Sequence, residues 1–76
     1  MTHKHFHWLD VDEIGLRLHN AHPGLDPLTV RFTKLRRLVE QLAGFREEPG
    51  HPVNEKILET IQQRWHEERE DVVRDD

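Results

Sequence analysis

The sequence predicts an all-α fold, a compact three-helix bundle with one extra helical turn. Apolar residues recur at three- and four-residue spacing in three separate stretches of the chain. Residues that commonly begin helices precede these stretches, and no alternating stretch is long enough to indicate a strand. The chain has 76 residues, so it is sized for one domain with a core of about a dozen apolar side chains.

The first helix is expected to begin at Asp10 and to end before Pro23. Asp10 is a favourable N-cap, and Glu13 occupies the third helical position of a capping box. The apolar stripe of this helix consists of Val11, Ile14, Leu18 and Ala21. The sequence His-Pro-Gly at 22–24 then terminates the helix.

A short turn and a second helix are expected next. Asp26 is followed by Pro27 at a first helical position, which predicts a single helical turn. Residues 31–33 are predicted to link this turn to a second helix, with Thr33 as its N-cap and Gly44 as its C-terminal stop. The predicted buried face of this helix consists of Leu35, Leu38, Val39 and Leu42.

The third helix is predicted to run from Asn54 to about Glu70, after an exposed loop at residues 46–52. Phe45, just before the loop, is expected to fold back onto the core. The predicted apolar face of the third helix consists of Ile57, Leu58, Ile61 and Trp65. Trp65 and Trp8 are both expected in the core or at its edge.

The domain organisation follows from these elements. Residues 1–7 are expected to form a flexible histidine-rich N-terminal tail, residues 8–70 a single domain, and residues 71–76 a frayed acidic C-terminus. No signal-peptide pattern occurs at the N-terminus, and no apolar stretch approaches the roughly 20 residues of a membrane span. We therefore expect a cytoplasmic protein. The absence of cysteine excludes disulfides and ligation of a cluster by thiolates of this chain.

Charge is unevenly distributed along the chain. Residues 31–46 carry a net charge of +4, whereas residues 1–30 carry −2 and residues 47–76 carry −6. This polarity suits steering toward a charged partner, although ordinary solvated helix faces explain it equally well. An alternative function is that of a small helix-turn-helix-like nucleic-acid-binding protein that uses the basic second helix. The total charge of −4 argues against that alternative, because phosphate contacts dominate such binding.

Catalysis is not expected from this sequence, which has no nucleophile–base signature and no glycine-rich phosphate loop. The histidines of the tail, His3, His5 and His7, are expected to bind metals only adventitiously, because a specific site also needs fixed ligands from elsewhere. Acids at the first helix start are explained sufficiently by capping and by the helix macrodipole.

Two sequence strings contain residues that helix formation alone does not require: LDPLTVRFT at 25–33 and NEKILE at 54–59. Further strings of this kind are DEIG at 12–15, HPG at 22–24 and FREEP at 45–49. In order and spacing, the chain from about Trp8 to Glu68 resembles the IscX family of iron–sulphur-assembly accessory proteins. The resemblance implies a small helical fold related to winged helices. It also implies binding to a cysteine desulfurase, weak binding of Fe²⁺ on an acidic face, and interplay with frataxin in regulating cluster assembly.

The resemblance further implies which residues bind iron and which bind the partner. No tightly bound cofactor is expected. The implied ligands of weakly bound Fe²⁺ are Asp10, Glu13, Asp26, Glu47 and Glu48, with His22 as a local substitute ligand where this chain departs from the family pattern. The implied partner-binding residues are Asp10, Asp12, Glu13, Glu47, Glu48, Arg31 and Lys56. The acids among them are expected to meet a basic surface of the desulfurase. Arg31 and Lys56 have a competing explanation, in which each pairs with a neighbouring acid and fixes the packing of the last helix.

Overall fold

Three α-helices and one 3₁₀ turn make up the fold in a computed structural model of the chain. The structure describes residues 5–47, 50 and 52–74, with only the backbone for 71–74. The elements in chain order are α1 (Val11–Ala21), the 3₁₀ turn (Pro27–Thr29), α2 (Phe32–Glu40) and α3 (Glu55–Arg74). The predicted all-α class, with three helices and one extra turn, is therefore confirmed. The likeness to winged helices stays an expectation.

The core is built from the predicted helix faces and from residues that precede α1. Its buried members are Phe6, Trp8, Ile14, Leu18, Val30, Leu35, Leu38, Val39, Leu58, Ile61 and Trp65. Both tryptophan side chains are fully buried, as expected. Phe45 packs against this cluster, which confirms that the chain folds back after α2.

The start of α1 differs from the predicted capping box. Asp10 is the N-cap residue, but its carboxylate makes no capping hydrogen bond to α1. It accepts instead from the backbone N–H of His7, at 2.9 Å. Residues 7–10 form a turn closed by the Asp10 N–H and the His7 carbonyl at 2.9 Å, which brings the His7 N–H within reach of the carboxylate. Glu13 pairs with Arg17, at 2.6 Å. The predicted capping box is therefore wrong.

The 3₁₀ turn is confirmed, but α2 begins earlier than predicted. Asp26 caps the turn by accepting from the Leu28 N–H at 3.1 Å. Helix α2 begins at Phe32, with Arg31 as its N-cap, and Thr33 lies inside it. This start places the side chain of Phe32 against the core, on the face that α2 buries. The helix ends at Glu40, before the predicted stop.

Helix α3 is capped as predicted and is longer than predicted. The Asn54 side chain accepts from the Ile57 N–H at 2.9 Å. The helix continues to Arg74 instead of ending near Glu70. Gln62 of α3 holds the 3₁₀ turn, because its amide nitrogen donates to the Pro27 carbonyl at 2.7 Å. In the described part of the chain, no helix has the length and apolar character needed to cross a membrane.

The segment before α1 is attached to the loop after α2. The Phe6 N–H donates to the Gly44 carbonyl at 3.0 Å, and the Arg46 N–H donates to the Phe6 carbonyl at 2.7 Å. The Phe6 side chain is 3% exposed and contacts the Phe45 ring edge-on at 5.8 Å between centroids. The predicted domain boundary at Trp8 therefore leaves out a core residue. Residues 1–4 of the predicted tail lie outside the described residues.

Candidate interaction surfaces

Three acids at the start of α1 line one open cavity. Asp10, Asp12 and Glu13 lie around a cavity of about 500 Å³. The other lining residues are His5, Phe6, His7, Leu9, Val11 and Arg17. The positive end of the α1 macrodipole lies at these carboxylates and attracts their negative charge. Sequence neighbours at one helix end thus converge on one surface, as the partner prediction requires.

The three carboxylates differ in their contacts within the protein and in their exposure. Asp10 accepts from the His7 backbone and Glu13 pairs with Arg17. The Asp12 side chain is 87% exposed and approaches the Arg64 Nε of α3 at 3.0 Å. An ion pair this exposed contributes little to stability. Asp12 is consequently the acid of α1 most available to a binding partner.

Glu47 is linked to the segment that precedes α1 through a contact that sequence reasoning missed. Its Oε2 accepts from the indole N–H of Trp8 at 3.4 Å, and Trp8 lies two residues before Asp10. The indole ring also contacts Phe45 edge-on, at 4.8 Å between centroids. The one available signal was that a buried indole N–H usually finds an acceptor. We call Asp10, Asp12, Glu13 and Glu47 the acidic surface.

The predicted iron ligands are not brought to one point. Asp26 caps the 3₁₀ turn and lies 3.9 Å from Arg69 of α3, and neither Asp26 nor His22 lines the cavity at the α1 start. Glu48 lies outside the described residues. In the part of the chain that the structure describes, no three His, Asp or Glu side chains form a group that could hold a metal. These residues therefore do not fit the implied iron site, and weak iron binding stays a prediction.

Arg31 and Lys56, the predicted basic partner contacts, are both exposed. Neither forms an ion pair with any acid whose side chain the structure describes. The competing explanation, pairing with a neighbouring acid to fix the last helix, thus finds no support within these residues. Both side chains are available for contacts with another molecule.

Comparison with known proteins places the chain in a family. The family described as "Iron-sulphur cluster assembly" matches residues 6–70. An uncharacterised protein of Pseudomonas aeruginosa is 44% identical over 63 residues, which cover 83% of this chain and 94% of that protein. The match begins at Phe6, the residue at which the buried core also begins. The chain therefore belongs to the iron–sulphur cluster assembly family, the IscX-like family that its sequence resembles.

Proposed function

We propose that the chain is an accessory protein of iron–sulphur cluster assembly that binds a cysteine desulfurase through the acidic surface. Family membership supports the pathway. The observation that carries the docking proposal is the convergence of Asp10, Asp12 and Glu13 on one cavity, with Asp12 almost fully exposed. The proposed role is that of an adaptor and regulator in the cytoplasm, without catalysis by this chain. Interplay with frataxin at the desulfurase belongs to the same proposal.

The acidic surface supports docking because its carboxylates are partly oriented before any partner arrives. Asp10 is held by the His7 N–H, Glu13 by Arg17 and Glu47 by the Trp8 indole. Oriented side chains lose less conformational entropy on binding. A basic patch on the desulfurase would be attracted by all of them, which raises the association rate and fixes orientation. We propose Arg31 and Lys56, which lie outside the acidic surface, as additional contacts to acids of the desulfurase.

The test compares two double variants in binding to the desulfurase of the same organism. Asp12→Asn with Glu47→Gln removes two charges from the acidic surface, and glutamine still offers Trp8 an acceptor. Glu40→Gln with Glu70→Gln removes two exposed charges from α2 and α3, and neither residue lines the cavity at the α1 start. We expect the first variant to slow association about three- to tenfold at low salt and the second to leave it near that of the natural chain.

Salt dependence gives an additional readout of the same experiment. Raising the ionic strength shortens the distance over which exposed charges attract each other. We therefore expect the association rates of the natural chain and the first variant to converge at high salt. If the two double variants bind the desulfurase equally, the acidic surface is not the interface. If the natural chain shows no binding at all, the proposed partner is wrong.

A further inference from the structure

Three cationic side chains lie in a row along α2, apart from the acidic surface. Arg31, Lys34 and Arg37 are all exposed and are spaced three residues apart. This spacing places neighbouring side chains roughly 5–6 Å apart on one ridge of the helix, and the row rises about 9 Å along the axis. None of the three forms an ion pair with a described residue. We call these residues the basic row.

Local helix physics does not explain Arg31 and Lys34, the first two residues of the basic row. The neighbouring Arg36 pairs with Glu40 at 3.2 Å, four residues later, which is a common stabilising arrangement within a helix. Glu40 also lies three residues after Arg37, but Arg31 and Lys34 have no acid three or four residues away. Arg31 and Lys34 also lie at the N-terminal end of α2, where the first turn contains no acid and where the macrodipole disfavours cations. Their positions therefore carry a cost within this helix that an external anionic partner would relieve.

A shallow groove accompanies two members of the basic row. Lys34 and Arg37 line a groove of about 350 Å³ together with Thr33, Leu38 and Gln41. Leu38 is the apolar member of this lining and is 8% exposed. A groove lined by two cations and one apolar side chain suits a segment that presents both carboxylates and an apolar side chain.

We propose that the basic row is a docking surface for an acidic segment of a partner protein. Carboxylates three or four residues apart on a helical segment match the spacing of Lys34 and Arg37, and an apolar side chain between them contacts Leu38. A short segment of this kind covers only the basic row. A nucleic-acid duplex extends much further and would approach α3, which lies within a segment of net charge −6. The charges of the whole chain therefore favour a protein partner.

The test uses a synthetic peptide and three variants of equal charge. The peptide has about 15 residues, with glutamates at three- and four-residue spacing around leucines, and its control replaces each glutamate by glutamine. Lys34→Gln, Arg37→Gln and Arg36→Gln each remove one positive charge from α2. In amide-shift titrations at about 0.15 M salt, we expect the acidic peptide to shift amides of residues 31–41. We expect Lys34→Gln and Arg37→Gln each to weaken binding about threefold, and Arg36→Gln to weaken it less.

Three outcomes would overturn the proposal. Absence of shifts with the acidic peptide shows that the basic row does not bind such segments. Equal weakening by all three variants shows that only net charge matters. Tighter binding of a duplex of about 20 base pairs at the same salt assigns the row to nucleic acid. Because these variants leave the acidic surface intact, desulfurase binding by Lys34→Gln and Arg37→Gln reports separately on the proposed function.

Discussion

Gly15 determines how closely α1 and α3 approach. A Cβ atom built on Gly15 would lie 2.8 Å from the Arg64 Cβ and 3.0 Å from the backbone nitrogen of Trp65. Within a helix, glycine costs about 1 kcal/mol relative to alanine, so helix formation alone does not favour it at this position. The helix crossing supplies the physical reason for the glycine in the string DEIG, which the sequence offered only as a family resemblance.

Replacing Gly15 by alanine should therefore destabilise the fold. The added methyl group collides partly with backbone atoms of α3, and such overpacking typically costs about 1–3 kcal/mol, against a gain in helix propensity of about 1 kcal/mol. We expect a net loss of about 1 kcal/mol, the middle of the resulting range, measured as a lower urea midpoint. Gly24→Ala is the matched control, because no atom lies within 4 Å of its built Cβ. Equal midpoints for the two variants would show that the crossing is not tight.

Trp8 and Glu47 illustrate a limit of sequence reasoning at the residue scale. Each was assigned separately, Trp8 to the core and Glu47 to a binding surface, and the hydrogen bond between them spans 39 positions. Local spacing contains no information about which distant acid meets a given indole. The contact also shows that replacement of Glu47 by lysine would disturb the core edge as well as the surface charge, which is why glutamine is the better substitution.

Individual elements were predictable where local signals and tertiary packing agree. The 3₁₀ turn and α3 begin at Asp26 and Asn54 as predicted, because each side chain accepts a backbone N–H of the first turn. At α2 the local capping signal and the tertiary packing favour different first residues of the helix. A threonine N-cap contributes about 1 kcal/mol, and partial burial of Phe32 against the core contributes a comparable amount. The helix starts at Phe32, and Thr33 does not cap it.

The segment before α1 behaves as an element of the fold. We expect Phe6→Ala to cost about 3 kcal/mol, because it empties a buried site and removes the ring over which the Arg17 guanidinium lies at 4.8 Å. Leu9→Ala is the control, since Leu9 is 49% exposed and should lose well under 1 kcal/mol. Urea unfolding followed by circular dichroism measures both. A Phe6→Ala midpoint equal to that of Leu9→Ala would show that the segment is dispensable.

At the scale of the molecule, two surfaces of the described chain differ in their predominant charge. Acids line the cavity at the start of α1, whereas α2 carries the basic row. The grouping of Asp10, Asp12 and Glu13 was predictable, because neighbours in sequence at one helix end stay neighbours in space. The contact of Glu47 with Trp8 could be found only from the folded structure. Asp26 and His22 entered the candidate site only through the family resemblance, and α1 separates them along the chain from the acids at its start.

This arrangement leads to a prediction about iron. Since no three described His, Asp or Glu side chains form a group that could hold a metal ion, Fe²⁺ should bind weakly, with a dissociation constant on the order of 1 mM. In titrations followed by paramagnetic broadening of amide signals, we expect gradual broadening near Asp10 and Glu13. We do not expect amides near His22 and Asp26 to reach saturation at the same iron concentration as those near Asp10 and Glu13. Joint saturation of both regions at micromolar iron would contradict the scattered placement of these ligands.

The attachment of Phe6 to Gly44 and Arg46 has a practical consequence for reagents. His5, the first residue that the structure describes, lines the cavity at the start of α1. We therefore expect an affinity tag or fluorescent protein on the N-terminal side of His5 to interfere with binding at the proposed desulfurase interface. Reporters and immobilisation handles for the binding experiments belong after residue 76, beyond the end of α3.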